Sequence, residues 1–255
     1  MKVTILGCGG AGGVPMISAG WVNCDPENPR NVRRRPAILV EDGEDRLLVD
    51  TPPDLRAQLL DANVRWLSAV LFTHYHADHL HGLDDLREVN RAMHEPLPMY
   101  ADADTVEVMR DRFGYALRAP DPGVGVIYRP LLTPHIIEGS FRIGRIPVQC
   151  FRQDHGYMET LGFRFGPVAY STDAVELPEE AFDILSGVKL WIVGCLQDTP
   201  HTTHAHVDKV LGWIERVRPE RAVLTHMGPK LDYETLRQRL PAHVEPAYDG
   251  MVLDA

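Results

Sequence analysis

The chain has 255 residues, 44% of them hydrophobic, which is enough for one substantial core and reads as a single domain over residues 1–255 rather than two small ones. Its formal charge of −10 disfavours long-range attraction to a nucleic-acid backbone, and its four cysteines, Cys8, Cys24, Cys150 and Cys195, lack the CxxC pairing of a thiolate zinc site or the look of a secreted disulfide framework. No apolar run approaches a membrane span, and the N-terminus opens on a strand without a signal-peptide pattern, so a cytoplasmic location with no membrane partner is expected.

In chain order, period and turn residues predict strands over Val3–Leu6, Pro36–Glu41 and Arg46–Asp50, a helix over Asp54–Asn63 and the apolar strand Ala69–Phe72. A helix over Asp84–Met93, a short strand over Leu97–Tyr100 and a helix over Asp104–Phe113 then lead into a Pro- and Gly-rich stretch, Ala119–Gly125, that reads as a mobile loop. Beyond it Ile127–Leu132, Phe141–Phe151, Thr160–Phe165 and Val168–Tyr170 read as strands, with a turn over Ile136–Ser140 between the first two. A helix over Pro178–Leu185, a strand over Lys189–Gly194, a helix over Ala205–Val217, a strand over Ala222–Thr225 and a helix over Asp232–Leu240 complete the series. Strand-rich runs alternating with helices in each half predict two packed sheets with helices outside, a layered α/β arrangement.

The densest chemical signal is Thr73-His74-Tyr75-His76-Ala77-Asp78-His79, an HxHxDH pattern placed where an apolar strand ends. One histidine among twelve would signify little, since most are surface or hydrogen-bonded core residues. Four metal-competent side chains within six residues are hard to explain as packing. Imidazole nitrogen and carboxylate oxygen suit zinc, iron or manganese, and the four can be divided between two ions, His74 and His76 on one, Asp78 and His79 on the other. Other candidates also follow predicted strands: His155, Asp173 and His226, with Asp50 closing its own. Side chains at strand ends are held rigidly and can converge on an open rim.

HxHxDH at 74–79, then His155, Asp173 in Ser171-Thr172-Asp173 and His226 in Leu224-Thr225-His226, resembles the ligand set of the metallo-β-lactamase superfamily in type and order across nearly the whole chain. The resemblance implies an αββα four-layer sandwich with two divalent ions, zinc or manganese, with iron also compatible. It places His74, His76 and His155 on one ion, Asp78, His79 and His226 on the other, and Asp173 between them. A glutamate is typical at the place of His76 in the oxygen-reducing branch, so His76 points to hydrolysis. The opening Gly7-Cys8-Gly9-Gly10-Ala11-Gly12-Gly13-Val14-Pro15 is similar to the start of the tRNase Z and phosphoribosyl cyclic phosphodiesterase families, although such a run is equally a tight turn. Thr203-His204-Ala205-His206 resembles their additional histidine motif and marks His204 as catalytic, with Asp78 counted as both ligand and catalytic carboxylate. The phosphodiesterase family carries a cysteine-rich zinc knuckle after its Val-Pro, completed by a later histidine. Only Cys24 remains here and Pro229 stands at the later place, so that structural zinc is not expected.

The expected activity is therefore two-metal hydrolysis of a small cyclic phosphodiester, a phosphoribosyl cyclic phosphate or cyclic nucleotide, in which a hydroxide bridging ions about 3.5 to 4 Å apart attacks phosphorus. His204 would bond the phosphoryl oxygen or protonate the leaving alkoxide. Asp50 and Asp249 are candidates to accept ring N–H groups of ligand histidines, with ordinary turn or cap roles as the alternative. The cluster Arg30, Arg33, Arg34 and Arg35 reads either as a solvated loop or as a grip on a second phosphate, with Arg33, Arg34 and Arg35 the candidate contacts. His81, His201 and His206 flank the motifs as rim or hydrogen-bonded residues, and His94, His135 and His243 lie outside any motif. A tRNase Z-type nuclease, a thioester or lactam hydrolase, and a non-enzymatic nucleotide-binding protein are the other readings, and a homodimer is left open.

Overall fold

A computed structural model describes every residue except 120–122 and 124–125, so most of the stretch expected to form a mobile loop lies outside the described residues. Among those described, the first half of the chain supplies β1 (Lys2–Gly7), β2 (Ala37–Asp42), β3 (Asp45–Val49), α1 (Leu55–Asp61), β4 (Ala69–Leu71), α2 (Ala77–Leu80), α3 (Leu86–Met93), β5 (Leu97–Ala101), α4 (Ala103–Phe113) and β6 (Leu132–Ile136). The second half supplies β7 (Phe141–Ile143), β8 (Ile146–Asp154), β9 (Glu159–Phe165), β10 (Val168–Ser171), α5 (Glu179–Leu185), β11 (Leu190–Gly194), α6 (Val207–Val217), β12 (Arg221–Thr225), α7 (Tyr233–Arg239), β13 (Val244–Pro246) and β14 (Val252–Asp254).

Two seven-stranded sheets result, in the orders β14-β1-β2-β3-β4-β5-β6 and β13-β12-β11-β10-β9-β8-β7. Each is antiparallel along one side and parallel along the other, changing at β3/β4 in the first sheet and at β10/β11 in the second. Parallel neighbours need crossovers, which is why the helices fall where they do, and open α/β sheets place ligands outside the carboxyl ends of strands beside such a change of direction.

Alternation along the strands builds the layers. In β2, Ile38 and Val40 enter the core between the sheets while Leu39 packs outward, and in β3 Leu47 and Val49 do the former and Leu48 the latter. Both faces are covered, so these strands read as continuous apolar runs. Leu55 and Leu59 of α1, Leu86 and Val89 of α3, and Val106 and Met109 of α4 cover the outer face of the first sheet. On the second sheet Ala181 and Leu185 of α5, Val207, Val210 and Ile214 of α6 and Leu236 of α7 join the cluster that contains Phe163, Tyr170 and Trp191. The αββα sandwich expected from the resemblance is the fold observed. No helix among the described residues is long and apolar enough to cross a membrane.

Some boundaries differ from expectation. The predicted strand Phe141–Phe151 is a hairpin, broken at Gly144, whose φ of +54° and close approach to the Asp45 carboxylate leave no place for a side chain. The strand expected over Ile127–Leu132 instead runs Leu132–Ile136 and takes in the start of the predicted turn. It is positioned by its parallel pairing with β5, a non-local contact. Strands β13 and β14 have only three residues each and too little alternation to be read without their partners β12 and β1.

Candidate metal centre

The HxHxDH segment leaves β4 and turns into the single helical turn α2, with His76 as its N-cap and Asp78 in the first turn, where a carboxylate is favoured by the helix dipole. His155 follows β8, Asp173 follows β10 and His226 follows β12, so the second sheet delivers one residue per strand end. Asp50, Asp173 and His226 all have φ between +51° and +66°, the left-handed region that costs a non-glycine residue about 1 kcal/mol or more. Three such residues at three strand ends around one point mark a place where positioning outweighs backbone comfort, a signal invisible to composition or periodicity.

Ligand-type atoms gather into two groups that share one carboxylate: His74, His76, His155 and Asp173, and Asp78, His79, Asp173 and His226, each within 4.8 Å. The two oxygens of Asp173 divide between them. Oδ2 lies 3.7 Å from His74 Nε2 and 3.8 Å from His155 Nε2, whereas Oδ1 lies 3.3 Å from His79 Nε2 and 3.0 Å from His226 Nε2. Asp78 Oδ2 closes the second group at 3.2 Å from His79 Nε2 and 3.5 Å from His226 Nε2. Four ligands about 2.1 Å from a common centre would be separated by about 3.4 Å, so these spacings suit cations between the atoms.

Hydrogen bonds turn the rings the right way. His79 Nδ1 donates to Asp50 Oδ2 at 2.7 Å, and His155 Nδ1 donates to the Thr203 carbonyl at 2.7 Å. His74 Nδ1 meets Thr73 Oγ1 at 2.9 Å, and that hydroxyl donates to Asp50 Oδ2 at 2.8 Å. In each ring Nε2 is left facing the group. The Nε2 atoms of His74, His79 and His226 and Oδ2 of Asp78 are buried without hydrogen-bond partners. Buried polar atoms are rarely left so, and here all of them face one another. Two divalent cations fit this donor set.

Charge differs between the groups. Burial drives His74 well below the ordinary imidazole value and His155 down to about 4, with Asp173 opposing, so both are neutral donors at neutral pH. Burial would also lower His226 and His79, but Asp173 and Asp78 outweigh it, raising His226 to about 9 and His79 well above its usual range. That side is the more anionic.

His204 sits beside the shared carboxylate, its Nε2 3.3 Å from Asp173 Oδ2 and its Nδ1 2.8 Å from Thr203 Oγ1. Its ring stacks on His226 and meets His155 edge-on, while its side chain keeps 17% exposure toward the opening. His201 is the neighbouring exposed ring, 5.2 Å from His204 between centroids.

Asp50 lies behind His79, also accepting the Thr73 backbone N–H at 2.8 Å. Among the described residues no hydrogen bond or ion pair joins Asp249 to a histidine. Its oxygens accept the backbone N–H groups of Cys8 at 3.1 Å and Arg34 at 2.8 Å, so it ties the glycine-rich opening to the arginine segment. The arginines also correct the expectation of a phosphate grip. Arg33 is 2% exposed and donates to the Gly228 carbonyl and to Asn31 Oδ1; Arg34 pairs with Asp61 and Arg35 with Asp54. Arg30 lies over the rings of Tyr233 and Tyr248. Local acidic and carbonyl partners, remote in sequence, consume the charge. The glycines of the opening serve close backbone approach: a Cβ on Gly7 would lie 2.1 Å from the Arg35 carbonyl, and Gly9 pairs with Met227 beside His226. The loop bearing Cys24 is held without a second thiol, Asn31 bonding Asp232 Oδ2 at 2.7 Å and Asp25 O at 3.1 Å. Sequence reading missed Thr73, Thr203 and Tyr157, whose hydroxyls reach the histidines; no spacing rule singles out a hydroxyl that contacts a ring.

Residues 45–227 match the family model described as a beta-lactamase superfamily domain. The octanoyltransferase of Porphyromonas gingivalis is 32% identical over 256 residues, 98% of this chain but 51% of that protein. A ribonuclease Z of a Bradyrhizobium species is 29% identical over 145 residues, 54% of this chain and 46% of that protein. The chain thus spans about half the length of these curated relatives. A solved structure described as a new diphosphatase from the PhnP family superposes with a TM-score of 0.90 at 29% identity, covering 99% of this chain and 96% of that one. Fold and family model agree: the chain belongs to the beta-lactamase superfamily and has the metallo-β-lactamase fold.

Proposed function

We propose that the chain is a two-cation hydrolase of phosphodiesters, acting on a small cyclic phosphodiester such as a phosphoribosyl cyclic phosphate or a cyclic nucleotide. The observation that carries this reading is the division of Asp173 between two donor groups with His204 bonded to the same carboxylate. His74, His76, His155 and Asp173 hold one cation, and Asp78, His79, His226 and Asp173 the other. When bound, two divalent cations, zinc or manganese, supply a water of lowered pKa and neutralise phosphoryl oxygens. Asp78 and Asp173 would supply the carboxylate oxygens that help hold those cations. Thr203 Oγ1–H donates to His204 Nδ1, which puts the ring proton on Nε2, where it is bonded to Asp173 Oδ2; exchanging that carboxylate for substrate, Nε2–H would bond a phosphoryl oxygen or pass its proton to the leaving alkoxide. The likeness to a PhnP-family diphosphatase and to a ribonuclease Z supports phosphorus as the centre attacked.

Thioester hydrolysis is the second reading, favoured by the match along half of a protein named octanoyltransferase. The test is metal analysis coupled to turnover of ribose 1,2-cyclic phosphate, nucleoside 2′,3′-cyclic phosphates, a diphosphate, short RNA and an acyl thioester. The cyclic phosphates should be turned over fastest; preferential RNA, diphosphate or thioester cleavage would overturn the choice of substrate. His204→Ala should retain both cations while kcat falls by about a hundred- to ten-thousandfold.

A further inference from the structure

Tyr157 occupies the turn between β8 and β9, two residues after His155, and its hydroxyl lies 2.8 Å from His76 Nε2. The ring is 71% exposed, so apolar burial does not hold it there. The turn beneath it is fixed. His155 N–H donates to the Met158 carbonyl at 2.9 Å, Gly156 N–H donates to Asp154 Oδ1 at 2.6 Å, and Gly156, at φ +87°, has no room for a Cβ against the Thr202 carbonyl. A rigid hairpin therefore presents both a donor-group histidine and a phenol directed at a second one.

The ring contacts of the neighbouring histidines give this hydrogen bond its meaning. His74, His79 and His155 each have Nδ1 occupied by an oxygen partner, which leaves Nε2 toward the centre. In His76 the occupied nitrogen is Nε2. We infer that Tyr157 is a positioning residue: its hydroxyl accepts the Nε2–H of His76, fixes the opposite tautomer and leaves Nδ1 as the donor to the cation shared with His74 and His155. This rests on the two-cation reading. A partner behind a ligand histidine typically changes metal affinity by about 10–100-fold, and an exposed partner belongs at the lower end.

The test uses the full chain with Zn2+ as the probe. In zinc-free protein at pH 8, a long-range 1H–15N spectrum should show the His76 proton on Nε2, and zinc should then perturb Nδ1. Tyr157→Phe should weaken zinc at the site of His74, His76 and His155 about tenfold, shift the tautomer balance of His76, and leave the other site unchanged. Coordination through Nε2, or Tyr157→Phe binding zinc as tightly as the wild type, overturns the inference; so does a chain that binds no zinc, which removes the two-cation reading as well. Zinc bound through Nδ1 without turnover of any phosphodiester would retire the proposed substrate while supporting the role of Tyr157.

Discussion

The two halves of the centre share Asp173 but differ in almost everything else. Asp78, His79 and His226 are buried, with Asp50 behind His79 as a further carboxylate, and two of the strained backbone residues, Asp50 and His226, lie there. On the other half His76 is half-buried and touches an exposed phenol, and among the described residues the shared carboxylate is the one anion grouped with the three imidazoles. On the proposed two-cation reading, extra negative charge would make the closed half the tighter cation site, and neutral donors with an open flank would make the other the side that substrate approaches, a single carboxylate lying between them.

The largest effect expected from breaking this arrangement comes from Asp173→Ala. It should remove both cations and lower turnover by at least about a thousandfold, measured by metal content and kcat; one cation retained at full stoichiometry would mean that the carboxylate is not shared. Asp50→Asn should act unequally. Taking away the anion that His79 bonds directly should weaken the closed site by about 10–100-fold, whereas the open one, linked to Asp50 only through Thr73 and His74, should weaken less. A two-phase cation titration that loses its separation would support the asymmetry, and an equal loss at both sites would count against it.

Two substitutions sharpen the comparison from outside the donor set. Arg33→Met takes the buried guanidinium donor from the Gly228 carbonyl, next to the His226 segment, and leaves Asn31 Oδ1 with only the Tyr233 N–H; it should cost about 3 kcal/mol in chemical denaturation without abolishing turnover by the folded fraction. The smallest effect is a pH dependence. Burial raises Asp249 to about 6, the N–H groups of Arg34 and Cys8 opposing. The folded state therefore holds this proton more tightly than the unfolded chain, and the stability it contributes is complete below about pH 4 and lost as pH rises through about 6. The loss should be about 1 to 3 kcal/mol, visible as a fall in Tm over that window that is absent in Asp249→Asn. A wild-type Tm that rises across the same window would invalidate the assignment.

How much of this was legible follows from where each interaction lies along the chain. The HxHxDH turn is local: a strand end and one helical turn bring His74, His76, Asp78 and His79 together, and residue type alone announces metal chemistry. Continuous apolar runs such as Ala69–Leu71 and Leu190–Gly194 state that both faces of a strand are covered, which is enough for the layered fold. His155, Asp173 and His226 were picked out by their place after strands and by family resemblance, yet no spacing specifies that Asp173 turns one oxygen to each group. The arginine cluster shows the opposite case. Four arginines within six residues look like an anion site, but Asp54, Asp61, Tyr233 and the Gly228 carbonyl engage them from other segments, with Asn31 adding a bond to Arg33 from within the cluster. Asp249 likewise found two backbone N–H groups instead of an imidazole.

The sequence by itself therefore determined the fold class, the location of the metal chemistry and the donor types available to it, because periodicity and residue chemistry are properties of short segments. Tertiary structure alone decided which oxygen faces which ring, which charges are already satisfied, and that a tyrosine eighty-one residues from His76 touches it. Those outcomes depend on side chains from distant segments arriving within about 3 Å of one another, and no local pattern encodes that meeting.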